Sequence, residues 1–253
     1  MEPAKVYFTD FRTQAFGDGL PTKLKKLARR AGIADLDLDG KFVAVKLHFG
    51  ELGNVSYLRP NYARALVDVV KELGGKPFLT DCNTMYPGSR KNALEHLECA
   101  WENGFTPLTA GCPILIGDGL KGTDDVEVPV AGGEYVKAAK IGRAIMDADV
   151  FVSLTHFKGH ELTGFGGAIK NIGMGCGSRA GKTEQHSNGP VSYTHLDVYK
   201  RQLSPSFGSY IATIVPMYMA STAAMMALTN RFARSSFANS VLFMGASVRL
   251  RSV

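Results

Sequence analysis

Phe42-Val-Ala-Val-Lys-Leu47 is an apolar run of strand length that ends on His48-Phe-Gly-Glu51. The chain repeats the arrangement twice: Lys76-Pro-Phe-Leu-Thr80 runs into Asp81-Cys-Asn-Thr84, and Val150-Phe-Val-Ser-Leu154 runs into Thr155-His156. Near-continuous apolar runs, rather than strict alternation, are what strands buried on both faces require. Working outward, residues 60–73 are predicted as a helix, with Pro60 in its first turn and Gly74-Gly75 at its end. Residues 20–31 place Leu20, Leu24, Leu27 and Ala28 on one helical face. The other face carries Lys23, Lys25, Lys26, Arg29 and Arg30, read as a solvated surface. Residues 5–8, 114–117 and 126–130 are predicted as short strands, and residues 90–103 and 135–146 as helices. The alternation predicts an α/β fold with a mainly parallel sheet flanked by helices, Rossmann-like in layout. Such sheets bind ligands beyond the C-terminal ends of their strands. His48, Asp81 and His156 each follow a strand directly and are expected to share one crevice.

Composition sets outer bounds. The chain has 253 residues, 45% hydrophobic and 21% charged, with a net charge of +6. These values fit a globular protein with a sizeable core, and not a disordered chain or a disulfide-dense mini-domain. The four cysteines, Cys82, Cys99, Cys112 and Cys176, form no C-x-x-C pair, so no zinc-ribbon or ferredoxin spacing is present. Together with a start that lacks an apolar signal region, they set the expectation of a cytoplasmic protein.

The positive charge is unevenly placed. Residues 1–190 hold 23 basic and 22 acidic side chains, whereas residues 191–253 hold 6 and 1. Within the basic part, Val191-Ser-Tyr-Thr-His-Leu-Asp-Val-Tyr-Lys-Arg-Gln202 back-translates to a near-perfect inverted repeat about a CTAG centre. It resembles two head-to-head transposon ends of the kind used in tagmentation libraries. The expected organisation is therefore an α/β domain over 1–190, an adapter-derived stretch over 191–202 and a foreign or wrong-frame tail over 203–253. The uncharged run 203–230 is long enough to span a bilayer, but it belongs to that tail and is set aside. With the charge excess localised there, neither a nucleic-acid nor a membrane partner is expected. His195 lies inside the adapter-like stretch and carries no meaning.

The richest chemistry lies at residues 156–186. His156 and His160 are four residues apart, Gly164, Gly166 and Gly167 form a turn, and Lys170 follows. Glycines let a backbone approach an anionic ligand, and a lysine one or two turns further on supplies charge. The pattern is not a Walker A loop. His186 closes a polar stretch, Cys176 between glycines reads as a packing residue, and His96 within a helix reads as structural.

The segments Val45-Lys-Leu-His-Phe-Gly-Glu51, Leu58-Arg-Pro60, Asp147 through His160 and Gly164 through Cys176 resemble the family catalogued as domain of unknown function 362. Its members are often described as uncharacterised Fe-S centre proteins. The resemblance implies a metal- or cofactor-dependent redox domain, normally followed by a ferredoxin module with a 4Fe-4S cluster. Such a module would begin near Ser187, so the resemblance implies a truncated chain that continues differently after Pro190. A more distant similarity is to nickel-pincer lactate racemases, whose motif joins a histidine, a glycine turn and a cofactor-bearing lysine. By that similarity Lys170 would carry a pincer-type cofactor. His160, ten residues before it, would act as acid/base, and His186, sixteen after it, would ligate the metal. Arg59-Pro60 resembles the racemases' substrate-binding Arg-Pro. Their His-Arg-Pro would correspond to the loop 81–90, which offers no histidine, a departure that counts against racemisation.

Three functions follow as expectations. One is a redox domain whose crevice holds His48, His156, His160 and Lys170, with His48, His156 and His186 as ligands for nickel or another divalent metal. The second is an isomerase with a lysine-linked cofactor, using His160, Lys170 and Arg59. The third is an anion-binding module built on Gly164, Gly166, Gly167 and Lys170. The partner in each case is a small molecule or a redox protein.

Overall fold

The computed structural model describes residues 6–130, 136–160, 164–187 and 243–244. Most of the adapter-like stretch and tail, with the run 203–230, lies outside the described residues. Four strands, β1 (Phe42–Lys46), β2 (Lys76–Asp81), β3 (Ile114–Ile116) and β6 (Val150–Ser153), form one sheet in the order β3-β2-β1-β6. Every pairing in it is parallel. The chain adds β2 and β3 on one side of β1 and then crosses to place β6 on the other. That reversal puts the ligand-binding position of a doubly wound sheet between the C-terminal ends of β1 and β6.

The expected apolar runs are buried for the expected reason. Val43, Ala44 and Val45 are fully buried, because helices cover both faces of the sheet. On one face α1 (Leu20–Arg30), α2 (Pro60–Glu72), α3 (Ala93–Glu102) and α4 (Pro107–Ala110) pack. Leu66, Val67 and Val70 of α2 join Val43, Val45, Leu79 and Leu154 in one core. Each fully buried Leu or Val there contributes about 1.5–3 kcal/mol. The basic face of α1 is solvated and ion-paired: Lys25 reaches Asp68 at 2.8 Å and Lys23 reaches Asp10 at 2.7 Å.

The remaining elements are β4 (Asp125–Pro129), β5 (Ala138–Gly142), α5 (Arg143–Met146), β7 (Thr155–His156), β8 (Lys158–His160), β9 (Gly164–Gly166), α6 (Ala168–Gly173) and α7 (Arg179–Ser187), of which β4, β5, α5 and α6 share a second core with Phe151 of β6. The pairs β4–β5 and β8–β9 are antiparallel, and a short β10 (Phe243–Met244) lies parallel to β7.

Two local expectations are corrected, and a third stretch proves helical. The predicted helix over 135–146 is instead β5 over five residues followed by a four-residue helix. Ala139 and Ile141 alternate with more exposed neighbours, a period-2 pattern that pairing with β4 rewards. Gly142 seals the register, since a Cβ there would sit 2.6 Å from Cys82 Sγ and 2.8 Å from the Gly117 carbonyl carbon. The expected strand over 5–8 is not formed in its described residues, and Val6 and Phe8 stay exposed. The polar stretch 181–186 is helical. Asp118 accepts the Arg179 N–H at 2.9 Å and Ser178 Oγ accepts the Gly181 N–H at 2.9 Å, capping α7.

Candidate functional site: a cationic cleft at the strand ends

A cleft of about 380 Å³ opens over the C-terminal ends of β1, β2 and β6. Its floor is polar because the last residues of the central strands are. In register, Lys46 pairs with Thr80 on β2 and with Ser153 on β6. Lys46 is only 1% exposed, yet it is satisfied. Its ammonium donates to Asn171 Oδ1 at 2.7 Å and lies 3.0 Å from Asp81 Oδ1. Asn171, on α6, donates in turn to Ser153 and Thr155, both at 3.0 Å. Gly175 makes this possible: a Cβ there would run into the Asn171 carbonyl and the Lys46 ammonium. Burial pushes the Asp81 carboxyl up, but Lys46 and the other charges outweigh it and hold the group well below the usual carboxylate range.

Behind Asp81 sits His96, fully buried, as the helix pattern suggested. The Asn83 amide donates to Asp118 and to the Gly119 carbonyl, so its oxygen faces His96 Nδ1 at 3.4 Å. Nε2 of His96 lies 3.8 Å from Asp81 Oδ2. Burial pushes the His96 pKa down to about 3, against the pull of Asp81.

The histidines at the rim are oriented by backbone. His48 Nδ1 accepts the Gly50 N–H at 2.9 Å, so the neutral ring carries its proton on Nε2. Binding a metal through Nε2 would require breaking that bond. His186 is held the opposite way: its Nδ1–H donates to the Lys182 carbonyl at 2.7 Å, leaving Nε2 as an acceptor 3.4 Å from the Tyr86 hydroxyl. A backbone carbonyl on Nδ1 is the usual orienting partner of a metal-ligating imidazole. His156 keeps a buried Nδ1 with no hydrogen-bond partner among the described residues. Burial lowers the pKa of all three rings, so they favour the neutral form.

His48, His156, His186, Gly166, Gly167 and Lys170 all line the cleft. Among the described residues a Cβ on Gly166 or Gly167 would come no nearer than 3.6 Å to any atom beyond the chain neighbours, so their packing does not demand glycine at either place. Gly164 pairs with His160 across β8 and β9; the side chain of His160 lies outside the described part of the structure. Arg59 is not among the lining residues. It precedes α2, and its guanidinium stacks 5.1 Å from the ring centre of Tyr57, which does line the cleft. Among the described residues no group of three His, Cys, Asp or Glu side chains converges on a metal position.

All four cysteines are buried and free. Burial pushes Cys112 to about 11 and Cys176 to about 12, which suits packing and not thiolate ligation.

Several cleft residues carry no motif. Among them are Lys46, Arg90 and Lys182; with Lys158 and Lys170 they make five cations, and among the described lining residues two carboxylates, Glu51 and Asp81, face them. Lys182 is buried, donating to the Gly177 carbonyl at 2.6 Å. Two signals were available in the sequence: a lysine ending an otherwise apolar strand at 46, and Lys182 and His186 one helical turn apart.

Comparison with known proteins places the chain. A curated relative, the thylakoid-associated protein sll1697 of Synechocystis sp. (strain ATCC 27184 / PCC 6803 / Kazusa), is 28% identical over 130 residues. That match covers 49% of this chain and 34% of the relative, so the chain aligns with about a third of the relative's length. Among solved structures, the lactate racemase apoprotein from Thermoanaerobacterium thermosaccharolyticum matches with a TM-score of 0.49 at 15% identity, covering 81% of this chain and 46% of that one. The family described as domain of unknown function (DUF362) matches residues 43–245, a span that takes in the strands of the parallel sheet, the cleft and the region beyond residue 190. The chain belongs to the DUF362 family.

Proposed function

We propose that the cleft is the binding site of a small organic anion, a substrate or cofactor bearing a carboxylate or phosphate. The observation that carries this reading is the charge imbalance at the switch point of the sheet, where, among the described lining residues, five cationic side chains face two carboxylates. Asp81 already neutralises Lys46 at 3.0 Å and Glu51 is ion-paired with Arg90, so among the described lining residues the cations outnumber the carboxylates by three. Charge-assisted hydrogen bonds to an anion are about twice as strong as neutral ones. The glycine turn at 166–167 leaves backbone open to the cleft where packing does not require it. Neutral imidazoles at His48 and His186, one holding a proton on Nε2 and one accepting there, add a donor and an acceptor for the rest of the ligand. Lys170→Ala is expected to weaken binding of inorganic phosphate to the full chain at least tenfold by isothermal titration calorimetry. An unchanged affinity would contradict the reading.

A second reading, a lysine-linked organic cofactor bearing nickel or another divalent metal, is favoured by one specific observation. Lys170 lines the same cleft as His186, whose Nδ1–H is fixed on a carbonyl so that Nε2 is left for a metal. The residues present fit such a group to this extent. Lys170 would anchor it and His186 would ligate its metal; when bound it would supply reversible hydride chemistry. Intact-mass analysis of the protein from its native host is then expected to show an adduct on Lys170, and an unmodified mass would contradict this reading. In its redox form the proposal assigns a 4Fe-4S module the role of partner. It assigns no cysteine of this chain a role in holding a cluster, on the strength of their buried thiols.

A further inference from the structure

Glu51 lines the cleft together with Arg90 and His48. It follows Gly50 and precedes Leu52-Gly53 on the loop after β1, and both glycines adopt positive φ, 95° and 78°. Its carboxylate grips Arg90 with both oxygens: Oε2 accepts from Nε at 3.1 Å, and Oε1 accepts from the terminal NH2 group. The same Oε1 lies 3.7 Å from Nε2 of His48, the nitrogen that carries the proton. The partners differ in accessibility. Arg90 is 9% exposed at its side chain, whereas Glu51 is 51% exposed.

The ion balance around Arg90 separates this pair from an ordinary surface bridge. The other nearby acid, Asp81, lies 3.8 Å from Arg90 but 3.0 Å from Lys46, which already matches its charge. Arg90 is therefore a buried cation whose counter-ion is supplied by a half-exposed side chain on a glycine-flanked turn. A buried guanidinium needs an anion at all times, because an uncompensated buried charge is costly. A side chain able to swing out to solvent can give up its place when another carboxylate arrives. The two-oxygen grip of Glu51 on the guanidinium fork matches the planar geometry of a carboxylate.

We infer that Arg90 and His48 form a carboxylate subsite, and that Glu51 holds it as an internal ligand mimic which an incoming organic acid displaces. This rests on the reading of the cleft as an anion site and names the chemistry of one end of its ligand. Bound acid would place one oxygen on the guanidinium and one near the His48 Nε2–H, with Glu51 turned out to solvent. A seat filled by Glu51 nine-tenths of the time weakens apparent affinity about tenfold.

The test is a titration of the full chain with sodium acetate, following the 15N resonances of His48, in the natural protein, in Glu51→Ala and in the double variant Glu51→Ala/Arg90→Met. Half-saturation in Glu51→Ala is expected at about one-tenth of the acetate concentration the natural protein needs, with the response lost in the double variant. Equal or weaker acetate binding by Glu51→Ala, alongside Lys170-dependent phosphate binding, would overturn the subsite and leave the anion cleft standing. Failure of every form to bind acetate or phosphate would overturn both. Melting curves of the three forms show whether the variants remain folded.

Discussion

Lys46→Met is expected to destabilise the protein by about 3–5 kcal/mol, the cost of removing one member of a buried ion pair. Methionine matches the length of the lysine stem, so the cavity term is small and the loss is electrostatic. It leaves Asp81, 3% exposed, without its 3.0 Å partner, and leaves Asn171 Oδ1 without a donor. Arg90, 3.8 Å from Asp81, offsets part of the loss and places the effect toward the lower end. Urea unfolding followed by the single tryptophan, Trp101 on α3, measures it. The double variant Lys46→Met/Asp81→Asn is expected to recover part of the stability, because the stranded charge is gone. A loss under about 1 kcal/mol for Lys46→Met would match a surface pair and contradict the buried one.

The second large effect is acid destabilisation through His96. Its pKa is pushed down to about 3 by burial in the folded state, while an unfolded histidine titrates near 6.5. Between those values the unfolded chain binds more protons than the folded one, so stability rises with pH across the window. The contribution is complete above about pH 6.5 and is lost as pH falls toward 3, at about 1.4 kcal/mol per pH unit in mid-window. His96→Gln is expected to flatten the stability profile between pH 6.5 and 4. Asp81, whose carboxyl is held low, adds a further loss below the ordinary carboxylate range, and that loss should remain in His96→Gln. A profile with the same slope with and without His96 would show that the ring is protonated in its buried seat.

Much of the fold was legible because its information is local. The runs at 42–47, 76–80 and 150–154 are strands since both faces of the sheet are covered, and apolar side chains are needed on each. Helices α1 and α2 announced themselves by an apolar face and by Pro60 followed by Gly74-Gly75. The strand at 138–142 was hidden. Its apolar residues also fit a helical spacing, and only pairing with β4 and close packing on Gly117 favour the extended form. Helix α7 depends on caps from Asp118 and Ser178, the first of them some sixty residues earlier in the chain.

The site divides in the same way. His48, His156, Gly166, Gly167, Lys170 and His186 were identifiable by residue type beside strand ends and glycines, and they line one cleft. Lys46, Arg90 and Lys182 were not singled out. A lysine, an arginine and a second lysine at ordinary positions acquire meaning only when the fold buries them together. Arg59 carried a motif resemblance, but the loop before α2 lays it on Tyr57 outside the lining.

In the proposed reading, one anion-binding cleft gathers three histidines from separate parts of the chain. Titrating the full protein with inorganic phosphate while recording histidine 15N resonances tests it most directly. His48, His156 and His186 are expected to shift together along one saturable curve. Shifts in none of them, or three unrelated curves, would contradict it.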